Sequence, residues 1–267
     1  MDSNQYNATV IGKILLTPDL MVLRCRTDEP RSKFFAGQFG TIGLMEHEPR
    51  STNSVPPVEK VPKNTLIKRS YSIASSGNDP QHFEFYISQV KAGHLTPRLF
   101  NLSPGRRMWV DPEIPGHFKL IETPPNCNIV MVATGTGLSP FISFLRTNIM
   151  EFKNVNLAIF HGAAQPWDLG YHSELSFIQN TFPNFHYLPT LLKADDYWEG
   201  LRGYIERHLE DKVLENNCGI EINPEKTHFY LCGNPRMIES MNNFLVGKRG
   251  YKLHKHDSPG ELHVEEY

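Results

Sequence analysis

The pattern of apolar residues changes at Pro124-Pro125, and that change limits the folds open to the chain. Upstream, residues 8–16, 20–26, 82–90 and 107–111 are short and rich in β-branched or aromatic residues, and several alternate. Gly, Pro, Asn and Asp separate them, which reads as strands joined by turns. Only Thr96–Leu102 has helical spacing, with Leu95, Leu99 and Leu102 recurring. An antiparallel β-barrel with one short helix fits. Residues 46–66 hold four prolines and no periodicity, and read as a surface loop. Downstream, strand patterns at 128–134, 157–161, 185–191 and 228–232 alternate with helix patterns from Ser139, at 173–180, 204–216 and 235–248. Such alternation predicts an α/β doubly wound parallel sheet. The expected domains are 1–122 and 123–267, without internal repeats or low-complexity segments.

At 267 residues the chain is long enough to bury a core in each domain. Its net charge of -2 gives no bulk attraction to nucleic acid or anionic membrane, so recognition by charge needs a local patch. No apolar run reaches the ~18 residues of a membrane span, and the first ten residues lack the basic and apolar regions of a signal peptide. Cys25, Cys127, Cys218 and Cys232 stand far apart, without the spacing of zinc or iron–sulfur sites. A reduced, cytoplasmic protein with no metal is expected.

Four motifs carry chemistry, each beside a plainer reading. In ATGTGLSP (133–140), Gly135 and Gly137 turn a buried strand into a helix. They could admit a pyrophosphate to the helix N-terminus or simply make a tight turn. In LCGNPRM (231–237), Gly233 could let a flat ring lie close to the chain, or Cys232 could merely end a buried strand. In RSYSIASS (69–76), Arg69 could pair with a phosphate, Tyr71 stack on a ring and Ser72 hydrogen-bond a ring nitrogen; the alternative is a half-exposed strand. In GHLTPRL (93–99), backbone N–H groups and the Thr96 hydroxyl could take a second phosphate, or Thr96 could only cap a surface helix.

Together, in this order, the motifs resemble the ferredoxin/flavodoxin–NADP(H) reductase family over nearly the whole chain. The body is similar to bacterial members, while the ending HVEEY (263–267) resembles plastid-type ones. The resemblance implies non-covalent FAD on the barrel and NADP(H) on the α/β domain, with the C-terminal tail returning to the flavin. It implies a flavin site of Arg69, Tyr71, Ser72, Ile73, Tyr86, Gly93, His94, Leu95 and Thr96. Thr134, Gly135, Thr136 and Gly137 resemble the nucleotide pyrophosphate loop. Cys232 and Gly233 resemble the pair beside the nicotinamide, and Tyr267 and Glu265 the residues that cover and serve the flavin face. Ser72, Cys232, Glu265 and Tyr267 would be catalytic.

For the 2′-phosphate, Thr190, Lys193, Arg202 and Tyr204 are similar to the family pattern, with Leu192 and Ala164 as departures. The implied activity is hydride transfer between NADP(H) and FAD, then single-electron exchange with a ferredoxin or flavodoxin. A monomer is expected, with the carrier docking on a basic patch drawn from Lys60, Lys63, Lys68, Lys91, Arg98, Arg106 and Arg107. A reductase of free flavin or ferric chelates, and a flavin-binding electron-transfer subunit or sensor without nucleotide turnover, are the alternatives.

Overall fold

The computed structural model describes residues 6–30, 33–79, 81–120 and 123–266. Two compact units emerge: Met1–Lys119 with Ile142–Thr147, and Leu120–Phe141 with Asn148–Tyr267.

The first unit holds strands β1 (Ala8–Thr17), β2 (Leu20–Thr27), β3 (Phe39–Met45), β4 (Leu66–Ser72), β5 (Phe83–Ser88) and β6 (Arg107–Val110), and helix α1 (Thr96–Asn101). The strands form one antiparallel sheet in the order β4-β3-β6-β1-β2-β5. An antiparallel bridge between Ile73 and Phe85 joins its two ends and closes the barrel. Met21, Leu23, Ile42, Leu44, Phe85 and Ile87 fill the interior with Leu99 of α1. Burying such side chains contributes roughly 1.5–3 kcal/mol each.

Strand β3 was not foreseen, because Gly40 and Gly43 interrupt its apolar pattern. Both glycines answer to packing. A Cβ on Gly40 would lie 3.2 Å from the Phe85 ring, and one on Gly43 would lie 2.9 Å from the Ile67 carbonyl oxygen. Between β3 and β4 the chain forms turns and coil, as expected of the Pro-rich stretch.

The second unit is a parallel sheet of β7 (Asn128–Thr134), β8 (Leu157–Ala163), β9 (Phe185–Leu191), β10 (Leu201–Arg202), β11 (Thr227–Gly233) and β12 (Leu262–Glu266), in the order β10-β9-β8-β7-β11-β12. Helix α2 (Ser139–Asn148) starts in this unit, and its stretch Ile142–Thr147 belongs to the first; the other helices here are α3 (His172–Thr181), α4 (Ile205–Glu210), α5 (Val213–Cys218) and α6 (Pro235–Arg249). Helices α4, α5 and α6 pack through Leu209, Leu214, Met241 and Leu245 on Val130, Val132, Phe229 and Leu231.

The single helix expected over 204–216 is two helices. Lys212 takes a left-handed conformation, φ +58°, between them. Leu209 and Leu214 are both fully buried in the same core. Five residues apart, they would diverge by about 140° on one straight helix, and the break brings both inward. The short edge strands β10 and β12 were also unforeseen. Among the described residues no helix is long and apolar enough to cross a membrane.

Candidate functional site

In the second unit two motifs come together at the carboxyl ends of neighbouring strands. Cys232 of β11 pairs in register with Ala133 of β7. The loop after β7, Gly135–Leu138, is a 3₁₀ turn leading into α2, and the Ser139 hydroxyl donates to Thr136 O at 2.8 Å. Gly137 lies against the other loop so closely that a Cβ there would be 2.2 Å from Cys232 O. Gly233 adopts φ +142°, and its Cβ would meet Thr134 Oγ1 at 2.4 Å. The Asn234 N–H donates to Thr134 Oγ1 at 2.9 Å, locking the loops together. Gly135, at φ +55°, faces open space. Two glycine-lined turns around a helix N-terminus make a cradle that admits a pyrophosphate and a flat ring.

Cys232 is fully buried, and Glu265 of β12 stands directly beside it in register. The thiol donates to Glu265 Oε2 at 3.7 Å. Burial, then the Glu265 charge and this hydrogen bond, push the thiol well above its ordinary range. Cys232 is therefore a neutral thiol at physiological pH. Tyr267 lies outside the described residues. The tail that precedes it is strand β12, paired with β11.

Two of the four residues expected at a 2′-phosphate, Thr190 and Arg202, have side chains bonded to the protein. The Thr190 hydroxyl donates to Gly203 O at 3.0 Å and lies 3.0 Å from His208 Nε2. Arg202 braces the loop before it, donating to Asp195 O at 2.7 Å and Trp198 O at 2.8 Å. Lys193 and Tyr204 are exposed; the Lys193 N–H donates to Ala164 O at 3.0 Å, and Tyr204 opens α4.

In the first unit Arg69, Tyr71 and Ser72 lie on β4, opposite Ile42, Gly40 and Phe39 of β3. Arg69 is exposed, and Nη1 donates to Lys68 O at 2.7 Å. Tyr71 is half-buried with its ring edge-on to Phe85 at 6.4 Å. Burial raises its phenol above the ordinary range, against the opposing Arg69 charge. Ile73 and Tyr86 are buried and belong to the barrel wall.

The Thr96 hydroxyl accepts from Val90 N–H at 2.9 Å and donates to Val90 O at 3.2 Å. It fastens the turn instead of standing open to a phosphate, and it does not cap α1, whose N-cap is Leu95. Among the described residues, the N–H groups of His94, Leu95 and Thr96 make no hydrogen bond to protein. The turn thus fits an anion through its backbone.

Two features carried no sequence signal. Glu84, fully buried, accepts from Arg24 Nε at 2.5 Å and from Arg146 Nη1 at 2.6 Å. Arg146 also donates to Ala74 O at 3.0 Å, directly after the Arg69–Ser72 strand. In the second unit His228, Tyr230, His254 and His263 form a column. Tyr230 stacks on His263 at 4.2 Å, and His254 lies against its ring at 4.3 Å. Burial, aided by His254 and His228, lowers His263 to about 3.

The expected basic patch is thinner than its sequence. Arg98 is buried, bonding Glu46 O at 3.0 Å. Lys91 pairs with Asp19 at 3.0 Å, Arg106 with Glu48 at 3.8 Å, and Arg107 with Asp28. Lys60, Lys63 and Lys68 stay exposed, and Lys68 Nζ sits 3.8 Å over the Trp109 ring.

A family model described as an oxidoreductase NAD-binding domain matches residues 131–243. The flavodoxin/ferredoxin–NADP reductase of Escherichia coli (strain K12) is 31% identical over 240 residues, 89% of each chain. The protein of that name from Buchnera aphidicola (subsp. Baizongia pistaciae) is 29% identical over 239 residues, again 89% of each. A solved ferredoxin NADP+ reductase from Neisseria gonorrhoeae, with bound FAD and NADP, superposes with a TM-score of 0.82 over 98% of both chains at 22% identity.

Proposed function

Because the chain belongs to the flavodoxin/ferredoxin–NADP reductase family, we propose that it moves a hydride between NADP(H) and non-covalent FAD, and single electrons between that flavin and a ferredoxin or flavodoxin. Bound FAD supplies the exchange between two-electron and one-electron chemistry, which side chains do not perform.

The observation that carries this reading is the interlocked Gly137, Gly233 and Thr134 cradle, where any side chain at either glycine would fill the space. Thr134, Gly135, Thr136 and Gly137 would hold the nucleotide pyrophosphate, and Cys232 with Gly233 the nicotinamide. Cys232, held as a neutral thiol, packs and orients the ring without attacking it. Glu265 fixes the direction of that S–H. Of the 2′-phosphate set, the exposed Lys193 and Tyr204 would meet the nucleotide, with Arg202, also exposed, shaping the loop between them through its bonds to Asp195 O and Trp198 O. On the barrel, Arg69 would meet the flavin diphosphate, the Gly93–Thr96 turn its adenylate side, and Tyr71 and Ser72 the flavin itself.

Lys60, Lys63 and Lys68 are the cations we assign to docking of an acidic carrier, because Lys91, Arg98, Arg106 and Arg107 are already engaged. Charge pairing across such an interface mainly sets the association rate. We place the protein in the cytoplasm as a monomer; four buried cysteines without disulfides support a reducing compartment.

An absorbance spectrum of the purified protein, followed anaerobically through addition of NADPH and then NADH, tests the proposal. Flavin bands that bleach with NADPH and hardly with NADH are expected. A colourless protein that takes up no FAD overturns it. Tyr204→Ala should weaken NADPH binding well beyond NADH binding; equal losses overturn the role given to Tyr204.

A further inference from the structure

The Pro-rich stretch between β3 and β4 is bolted to the turn that follows β5. Arg50 makes the principal bolt. Its Nη1 donates to Gly93 O at 2.7 Å, while Nη2 donates to Lys91 O at 3.0 Å and to Val55 O at 2.6 Å. Around it, the Ser51 N–H donates to Pro97 O at 2.8 Å and the Val55 N–H to Lys91 O at 3.1 Å. Gln89 Nε2 reaches Ser51 Oγ at 2.5 Å. From the other side Arg98 Nη1 donates to His94 O at 2.5 Å.

Three carbonyls of the turn, those of Lys91, Gly93 and His94, are thereby fixed. In a planar trans peptide the C=O and the N–H point in opposite directions. Holding the Lys91, Gly93 and His94 carbonyls against guanidinium groups turns the N–H groups of Ala92, His94 and Leu95 the other way. Those N–H groups have no protein acceptor among the described residues. A run of outward N–H groups is an anion-binding concavity, and one that is pre-oriented loses less entropy on binding.

We propose that Arg50 is a positioning residue for FAD, acting through Lys91 and Gly93 to hold the backbone donors that receive the adenylate-side phosphate. The inference rests on the flavin reading above, and it gives residues 50–55 a definite task. Arg50 itself does not touch the cofactor. Its planar fork spans carbonyls from two segments, a geometry that lysine cannot copy.

The test compares FAD with FMN, which lacks the adenylate half and its phosphate. The holoprotein is diluted serially and the released flavin is read by its fluorescence. The measurement is repeated after exchange into excess FMN. Arg50→Ala should raise the Kd for FAD by on the order of tenfold or more, as loss of hydrogen bonds to a charged group predicts. The Kd for FMN should stay close to that of the unaltered protein. Arg50→Lys should show a smaller loss in the same sense, and stands in if the alanine variant does not fold. Equal losses for FAD and FMN would mean a general structural role and overturn the proposal, as would unchanged FAD affinity in both variants. If the unaltered protein holds neither flavin, the flavin reading itself falls.

Discussion

A methyl group on Gly233 would stand 2.4 Å from Thr134 Oγ1 and 2.9 Å from Thr134 O, at a φ of +142° that side chains rarely adopt. Gly137 is confined as tightly, against the Cys232 carbonyl. Backbone cannot swing aside as a side chain can, so Gly233→Ala and Gly137→Ala should each abolish bleaching by NADPH. Loss of flavin is not expected, so the yellow colour should persist; reduction at the unaltered rate by either variant contradicts the packing described. Cys232 invites a complementary check. A fully buried thiol held well above its ordinary range should resist a thiol reagent at pH 8 in the folded protein and react once urea unfolds it. Rapid labelling of Cys232 in the native state would contradict its burial and its neutral form.

Elements carry a different kind of constraint. Glu84 of β5 sits between Arg24 of β2 and Arg146 of α2, and the Ala74 N–H donates to Glu84 O at 2.8 Å. Glu84→Ala would leave Arg146 short of its buried partner. Removing one member of a buried ionic group costs about 3–5 kcal/mol, measurable as a lower urea midpoint. A loss below about 1 kcal/mol would place the triad among surface pairs. The elements also differ in how far local pattern revealed them. Strand β7, Asn128–Thr134, and helix α6 stood out because one has a continuous apolar run and the other has Asn234 as N-cap, Pro235 in its first turn and Gly250 at its end. Strands β3 and β12 did not. Glycines needed for close packing hide β3, and the charged residues of β12 read as a tail until β11 is seen beside it. Arg50 was hidden for a related reason, since two of its three carbonyl partners, Gly93 and Lys91, lie 43 and 41 residues away in sequence.

On the scale of the whole molecule, acid is the informative variable. His161 and His263 are both lowered to about 3, chiefly by burial, with His172 adding to the first and His254 and His228 to the second. A depressed folded value means these rings stay neutral in the native state. Their contribution is fully present above the unfolded value near 6.5 and is lost as pH falls from there toward 3. Each such group costs about 1.4 kcal/mol of stability per pH unit in that window. The melting temperature should therefore fall steeply between pH 6.5 and 4.5, and His263→Phe should flatten that slope. A variant with the slope of the parent would show that His263 does not carry it. The order of motifs, the change of grammar after Pro124 and the spacing of Gly135, Gly137, Cys232 and Gly233 were set by local chemistry, and they alone point to the family and its cofactors. Only tertiary structure decided which side chains remain open to those cofactors. Thr96, Thr190 and Arg202 look like ligands in one dimension, and Arg98 like a docking cation, but folding brings backbone partners to them that no spacing rule contains, and those hydrogen bonds go to shaping the turns.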